Sequence, residues 1–496
     1  MKSFRWTILF GLVVITFSLW TYFDYQKAQE RESEGEKEAL ILKVPSEEIQ
    51  SLQFHSPMGT VEVKRNEKSW QLLAPIQDRG DVEVIDHLLR AMAGEKTLEL
   101  IAEGDDVDLQ VYGLDHPEYV VEMEVQAKDE ASPKKEVLKI GSVKAYDSNL
   151  YLQRNKENKI YLVSSGWKEH LKKTSFDLRD KTIVRDPDLT LDNLISMHLE
   201  QNAPSFPKKI ILDKNGESWK YNGNEEPFLP LSSEHIKSYL EHLKSLRAEE
   251  ILSEGGSLSG KNLKFNFAHP LLKLAFKLSS GRMLEFDFAA SVGRNKEAQK
   301  NKAESLDIAV RDRDSGRVFK ISESSVGYLK RKIENFYDRH YPFRFSTEGA
   351  ARIVLKTTKN EIALKLIGQK WVDEKHEGMP STDTHDASEQ IIEALSQIKK
   401  IEAVRFFAKG DKILHQKHSW SKFDVFDSAG KVLVSMEWSE LVHEKEDPSR
   451  PEASYYLLKT NLDSHYFGVP SGSLDGIKLF RAQGEMNDSE KAVSEP

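Results

Sequence analysis

The sequence predicts an α+β chain: an N-terminal transmembrane helix followed by three tandem repeats of a mainly antiparallel sheet, each covered by a helix. Three observations predict it. An uncharged apolar run, Trp6 to Phe23, stands directly behind Lys2 and Arg5. The text around Trp70, Trp219 and Trp371 recurs roughly every 150 residues, the size of one ordinary domain. In each copy the tryptophan stretch is followed by a stretch of helical apolar period and then by alternating stretches of strand period.

The anchor comes first. At about 1.5 Å per residue, the run from Trp6 to Phe23 is just long enough for a hydrocarbon layer of ~30 Å. Trp6 lies at one end and Trp20, Tyr22, Phe23 and Tyr25 at the other, where interfacial aromatics concentrate. Lys2 and Arg5 precede the span and Asp24 follows it. The positive-inside bias then places the N-terminus in the cytoplasm and the body outside, periplasmic or otherwise extracytoplasmic. A cleavable signal peptide would need small residues at −3 and −1 of a cut. Asp24-Tyr-Gln-Lys-Ala28 is a poor match, so the span is read as a retained single-pass anchor in the inner (cytoplasmic) membrane. Residues 1–25 are thus cytoplasmic tip and anchor, and residues 26–39, dense in both charges, a solvated spacer.

Composition narrows the body. Charged residues make up 30% of the 496 and hydrophobic residues 39%, so the modules beyond the anchor read as solvated. The net charge of −9 disfavours nucleic acid as a partner, which calls for a basic face or stripe. The chain has no cysteine, which excludes disulfides, thiolate nucleophiles, cysteine-held zinc and iron–sulfur clusters.

Repeat module 1 spans residues 40–186. Val61–Val63 and Gln71–Leu73 flank a turn at Asn66–Lys68. Asp81 caps a helix whose apolar face is Val84, Ile85, Leu88, Leu89 and Met92, ended by Gly94. Strands follow around Val121, Met123 and Val125 and around Gly141. A hairpin (150–153 with 159–163) comes next, and Ser164 and Ser165 cap a short helix. Module 2, residues 187–344, repeats the order. Ser232 lies in its capping stretch; Ile236, Tyr239, Leu240, Leu243 and Leu246 form the helix face, and the last hairpin turns at Asp314–Gly316. His116-Pro117 recurs as His269-Pro270, and Gly141 as Gly293. Module 3, residues 345–481, keeps the helix with Ile391, Ile392, Leu395 and Ile398, and the paired strands near Phe423, Trp438, Tyr455 and Tyr466. Residues 482–496 read as a disordered polar tail. In each copy the tryptophan is expected in the hairpin, packed under the helix.

With these segments in hand, the chain resembles a membrane-anchored domain-of-unknown-function family whose genes accompany gliding-motility-type ABC transporters. The resemblance lies in the anchor, SWQLLAP, VEVIDHLLRAM, VYGLDHP, LKIGS, IYLV and FDLRDKTI, nearly all in module 1. Module 2 departs, with FNFAHP for YGLDHP and FYDRHYPF for FDLRDKTI, and module 3 departs further. The resemblance implies an envelope protein working with an ABC transporter permease or accessory subunits. It supplies no catalytic residues.

Candidate chemistry is weighed against plainer readings. His415 and His418, with Asp373, Glu374 and His376 and with Asp383, His385 and Asp386, offer imidazole and carboxylate ligands of the kind catalytic zinc uses. The Ser/Thr/Pro/Gly-rich text favours a solvated loop. Asp106, Asp108 and Gln110 match the start of a calcium loop, but Val111 and Pro117 stand where its glycine and glutamate belong; a charged loop is the better reading. Arg179-Asp180-Lys181 reads as an exposed ion pair fixing the junction of modules 1 and 2. His116-Pro117 and His269-Pro270 lack any neighbouring serine motif and read as prolines blunting a strand edge. Gly255 to Lys261 approaches a phosphate loop, but Asn262 replaces the hydroxyl residue and a strand-like stretch follows.

The sequence therefore assigns no catalytic, cofactor-binding or metal residue and no cofactor. The expected function is a non-enzymatic interaction scaffold at the membrane, accessory to an ABC-type transport or gliding-motility-like complex. The alternatives are a tethered cell-wall or polysaccharide-binding protein using exposed tryptophans, and a metal-dependent hydrolase using the module 3 loop.

Overall fold

A computed structural model describes residues 20–22, 25–26, 39–126, 132–143, 148–223, 227–255, 264–291, 307–346, 348–374, 388–443 and 454–474. Of the predicted anchor, only residues 20–22 fall within these. Among the described residues no helix is long and apolar enough to cross a membrane.

Three antiparallel sheets carry the fold. In the first, β1 (Ile49–Ser56), β2 (Gly59–Asn66), β3 (Ser69–Ala74) and the two-residue β4 (Asp78–Arg79) run outward from the middle. Helix α1 (Val82–Gly94) follows, and then β5 (Glu99–Glu103). The chain re-enters beside β1 with β6 (Tyr119–Val125), then β7 (Lys134–Val143), β8 (Leu150–Arg154) and β9 (Lys159–Val163). The strand order is β4-β3-β2-β1-β6-β7-β8-β9-β5. Helix α1 thus connects one edge of the sheet to the other and must cross its face, which is why it is the element that buries the core. Two short helices, α2 (Trp167–Leu171) and α3 (Ser175–Leu178), end the module.

The alternation along the strands sets the core. Leu52 and Phe54, Val63, Trp70 and Leu72, Val121 and Met123, and Leu138 and Ile140 share one cluster with Ile85, Leu88, Leu89 and Met92 of α1. Each such aliphatic side chain contributes roughly 1.5–3 kcal/mol by leaving water. Asp81 accepts the Val84 amide at 3.2 Å and so starts the helix as its sequence promised. The short helix α2 begins differently from expectation. Its N-cap is Gly166, without a side-chain cap bond, and Ser164 Oγ instead accepts the Gly166 amide.

The second sheet comprises β10 (Leu194–Gln201), β11 (Lys209–Asn215), β12 (Ser218–Tyr221), β13 (Glu250–Glu254), β14 (Leu272–Leu278), β15 (Met283–Ala290), β16 (Ile308–Asp312) and β17 (Arg317–Ile321), with helices α4 (Ser233–Lys244) and α5 (Glu323–Leu329). The third comprises β18 (Ala350–Lys356), β19 (Glu361–Ile367), β20 (Lys370–Asp373), β21 (Arg405–Phe407), β22 (Trp420–Asp427), β23 (Val432–His443), β24 (Ser454–Thr460) and β25 (Tyr466–Pro470), with helix α6 (Ser388–Lys399). Their orders, β12-β11-β10-β14-β15-β16-β17-β13 and β20-β19-β18-β22-β23-β24-β25-β21, repeat the first sheet without β4. A tandem three-module α+β fold is therefore present. By internal contacts the chain falls into two units, residues 1–182 with 247–250, and residues 183–246 with 251–496.

Each sheet is led into in the same way. Ile41 N donates to Glu95 O at 3.0 Å and Thr97 N to Ala39 O at 2.7 Å, so the lead-in pairs with the stretch between helix and edge strand. Ala248 N donates to Lys181 O at 2.8 Å, and Ala403 N to Arg339 O at 3.0 Å. Thr97, Ala248 and Ala403 are thus equivalent positions.

Candidate functional site

A groove of about 780 Å³ lies on the first module, between the outer side of α1 and helix α2. The amphipathic period of α1 makes it. Ile85, Leu88, Leu89 and Met92 turn into the core, which leaves Glu83, His87 and Arg90 exposed on the other side. Val82, Val84 and Ala91 form its floor with part of Leu88, and Glu169, His170 and Lys173 close it from α2 and the residues after it. Acids and bases interleave around an apolar floor. No hydroxyl side chain lines it.

Asp86 ties this groove to the core beneath. Its Oδ1 accepts Trp70 Nε1 at 2.9 Å and Arg65 Nη2 at 3.1 Å, and the Arg65 guanidinium lies 4.4 Å from the Trp70 ring centre. His170 is held edge-on to Trp167, 6.2 Å between ring centres, with Nε2 3.8 Å from Glu95. Burial lowers the His170 pKa below the ordinary imidazole value, and Glu95 only partly opposes it.

A second organised surface joins the last two modules. Phe406 on β21 meets Tyr337 edge-on at 5.0 Å, Phe228 in a stacked arrangement at 6.3 Å and Phe467 at 6.3 Å. His465, hydrogen-bonded to Asp463 at 2.7 Å, lies edge-on to Phe228 at 5.1 Å. Nearby, His340 Nδ1 donates to Ile401 O at 3.1 Å while its Nε2 is 3.2 Å from Glu402. Sequence reading passed over both surfaces. Groove residues come from two helices far apart in the chain, and Phe406 stands where module 1 has Leu100, so no motif repeats.

The residues singled out from sequence have the following places. Trp70 and Trp219 are buried on β3 and β12, under the helix side of their sheets, and Trp371 on β20 is partly buried. Buried rings are not stacking platforms, so Trp70 and Trp219 offer none to a sugar. Arg179 is not exposed: its guanidinium pairs with Asp78, both side chains nearly enclosed. Asp180 instead meets Arg247 at 3.1 Å, and Lys181 lies over the Phe176 ring at 4.8 Å. Asp108 caps the short 3-10 turn Leu109–Tyr112 by accepting the Gln110 amide at 3.0 Å, so this stretch is a loop turn. Asp106 is exposed beside it. Pro117 and Pro270 lie just ahead of β6 and β14, which sit in the middle of their sheets. They therefore lead into inner strands and blunt no edge; each strand keeps its ladder because the proline precedes it. His116 is almost fully exposed.

His418 Nε2 bonds Ile413 O at 2.8 Å, and His415 ends the 3-10 turn Lys412–His415. Glu374 forms a two-pronged pair with Arg352 at 2.6 and 3.0 Å, and that guanidinium lowers the Glu374 pKa. Asp373 ends β20. His376, Asp383, His385 and Asp386 lie outside the described residues, as do Gly293 and the stretch from residue 256 to Asn262. Among the described residues no group of three or more His, Asp or Glu is placed to hold a metal ion. Ile392, expected on the buried face of α6, is exposed, while Ile391, Leu395 and Ile398 are buried.

Comparison with known families finds a match. The chain carries a domain of unknown function (DUF4340) over residues 70–264. The match opens at Trp70, takes in the rest of the first module with its groove, and runs through β10 to β13 of the second. No curated protein matches the chain.

Proposed function

We propose that the protein is a membrane-anchored envelope protein whose three modules serve as a non-enzymatic interaction scaffold, accessory to an ABC-type transport or gliding-motility-like complex. The observation that carries this reading is that one strand order occurs three times while the exposed side chains change. The equivalent positions Leu100 and Phe406 differ in this way, and so do His87 and Arg90 of the groove over α1, where α4 has Ser238 and Glu241. Repetition of a core with variation of its surface is what stacked interaction modules do. The apolar run Trp6 to Phe23 behind Lys2 and Arg5 supports an anchor with the modules outside the cytoplasm. The DUF4340 domain and the resemblance of module 1 to transporter-associated anchored proteins support the choice of partner.

The test is affinity purification of the C-terminally tagged full chain from mild-detergent membranes, with mass spectrometry of what co-elutes. Permease or ATPase subunits at stoichiometric levels support the reading. A chain that elutes alone overturns it.

A further inference from the structure

The edge strands β5 and β21 are equivalent, being placed identically after Thr97 and Ala403 and at the same end of their sheets. In module 3, the segment leaving module 2 meets the start of this edge strand. Arg339 O takes the Ala403 amide, and Tyr337 and Phe228 seat their rings on Phe406. Counting from the shared backbone bond, Phe406 corresponds to Leu100. Leu100 is 46% exposed and Leu98, two residues before it, 56% exposed. Among the described residues strand β5 pairs with β9 alone, so its outer edge is a row of main-chain donors and acceptors beside two exposed leucines.

The sequence just ahead of the first lead-in bond holds no equivalent aromatic residue. Residues 26–38 (QKAQERESEGEKE) contain no Val, Leu, Ile, Met, Phe, Tyr or Trp, and Lys37 stands where module 2 provides Tyr337. An end module of a repeat array ordinarily turns a polar face outward; this one keeps an apolar position that an internal module would cover. Charge adds a second constraint. Exposed Glu99, Asp105 and Asp106, with Glu103 paired to Lys159, make the edge acidic, whereas the segment that meets β21 carries Arg331, Lys332, Arg339 and Arg344 against only Glu334 and Asp338.

We propose that the β5 edge of module 1 is a docking site for a partner protein that lays a short basic segment across it and seats aromatic side chains on Leu100, as Tyr337 and Phe228 are seated on Phe406. This names the chemistry of a partner for the scaffold described above and rests on that reading.

The probe is a fluorescein-labelled peptide of residues 331–344, added to the full chain in detergent micelles and followed by fluorescence anisotropy. Saturable binding is expected, weakened about tenfold or more by Leu100→Glu, as for loss of a central apolar anchor. Ile392→Glu, an exposed apolar position on α6, should leave it unchanged. Circular dichroism of both variants should match wild type because both sites are exposed. Absence of saturable binding, equal binding by Leu100→Glu, or equal binding of a scrambled peptide overturns the proposal. A photoreactive benzoylphenylalanine at position 100, irradiated in native membranes, supplies the second arm. A protein adduct suppressed by the peptide supports the site, whereas adducts only to lipid or to a second copy of this chain overturn it. If transporter subunits co-elute with wild type and with Leu100→Glu alike, the β5 site falls and the scaffold stands; if none co-elute with wild type, the scaffold itself falls.

Discussion

Single residues carry more than their motifs suggest. Asp86 looks like one more surface charge on an amphipathic helix, yet it holds Trp70 and Arg65 together. Replacing Asp86 with Ala strands the buried Trp70 Nε1, and a buried donor without its acceptor costs roughly 1–3 kcal/mol. Urea unfolding should therefore show the transition of the first module moved to lower urea, while the near-ultraviolet signal of the native state is kept. Gly141 is fixed by proximity: a Cβ there would fall on the Tyr112 carbonyl and crowd Gly113. Gly141→Ala should cost about 1–3 kcal/mol by overpacking, read in the same titration. Gly293 lies outside the described residues, and strand register matches Gly141 with Ala289 of module 2. The Trp70 position was legible in the sequence. The Asp86 contacts were not, because they are made across folded elements.

His170 gives the first module a pH dependence of defined sign. Its folded pKa is lowered by burial, so the unfolded chain takes up a proton that the folded module resists. Stability from this group is fully present above the ordinary histidine pKa of about 6.5 and is lost as pH falls below it. In His170→Phe that portion of the slope between about pH 7 and 5 should vanish. Thermal melts at several pH values would check it; an unchanged slope contradicts the assignment.

At the scale of elements, strand and helix periods decided most of what was legible. The caps of the two crossing helices and the hairpins of modules 1 and 2 fall where apolar period and turn residues put them, while the cap of α2 does not. Asp81→Ala should lower stability by about 1 kcal/mol through loss of the N-cap bond, visible as a reduced unfolding midpoint with helix content retained below it. Misreadings share one cause, the absence of tertiary context. Ile392 fits the apolar spacing of α6 yet faces out, because Ile391, Leu395 and Ile398 already fill the space over the sheet. Arg179 reads as surface charge in a polar string, yet the bridge between Gly80 and it brings Asp78 over it and encloses both. A proline next to a strand reads as an edge device until the strand order shows β6 and β14 inside their sheets.

At the scale of the molecule, the threefold pattern of tryptophans announced the threefold repeat of strand order. The lead-in pairing at Thr97, Ala248 and Ala403 could not be read, since it is made by backbone atoms and leaves no side-chain signature. That pairing makes Leu100 and Phe406 comparable, and the comparison can be tested within one chain. Phe406 bridges Tyr337, Phe228 and Phe467, so Phe406→Ala removes the centre of an aromatic cluster and should cost about 2–3 kcal/mol, toward the lower end for a large-to-small change because the ring is only partly buried. The loss should appear as faster tryptic cleavage at the exposed Arg344 in the segment between modules 2 and 3, with the sheet signal in circular dichroism intact. Leu100→Ala, at the equivalent but uncovered position, should change neither cleavage nor stability by more than about 0.5 kcal/mol. Equal effects of the two substitutions would mean that Leu100 is already covered within the chain, and the equivalence between the two edges would then carry no information about a partner.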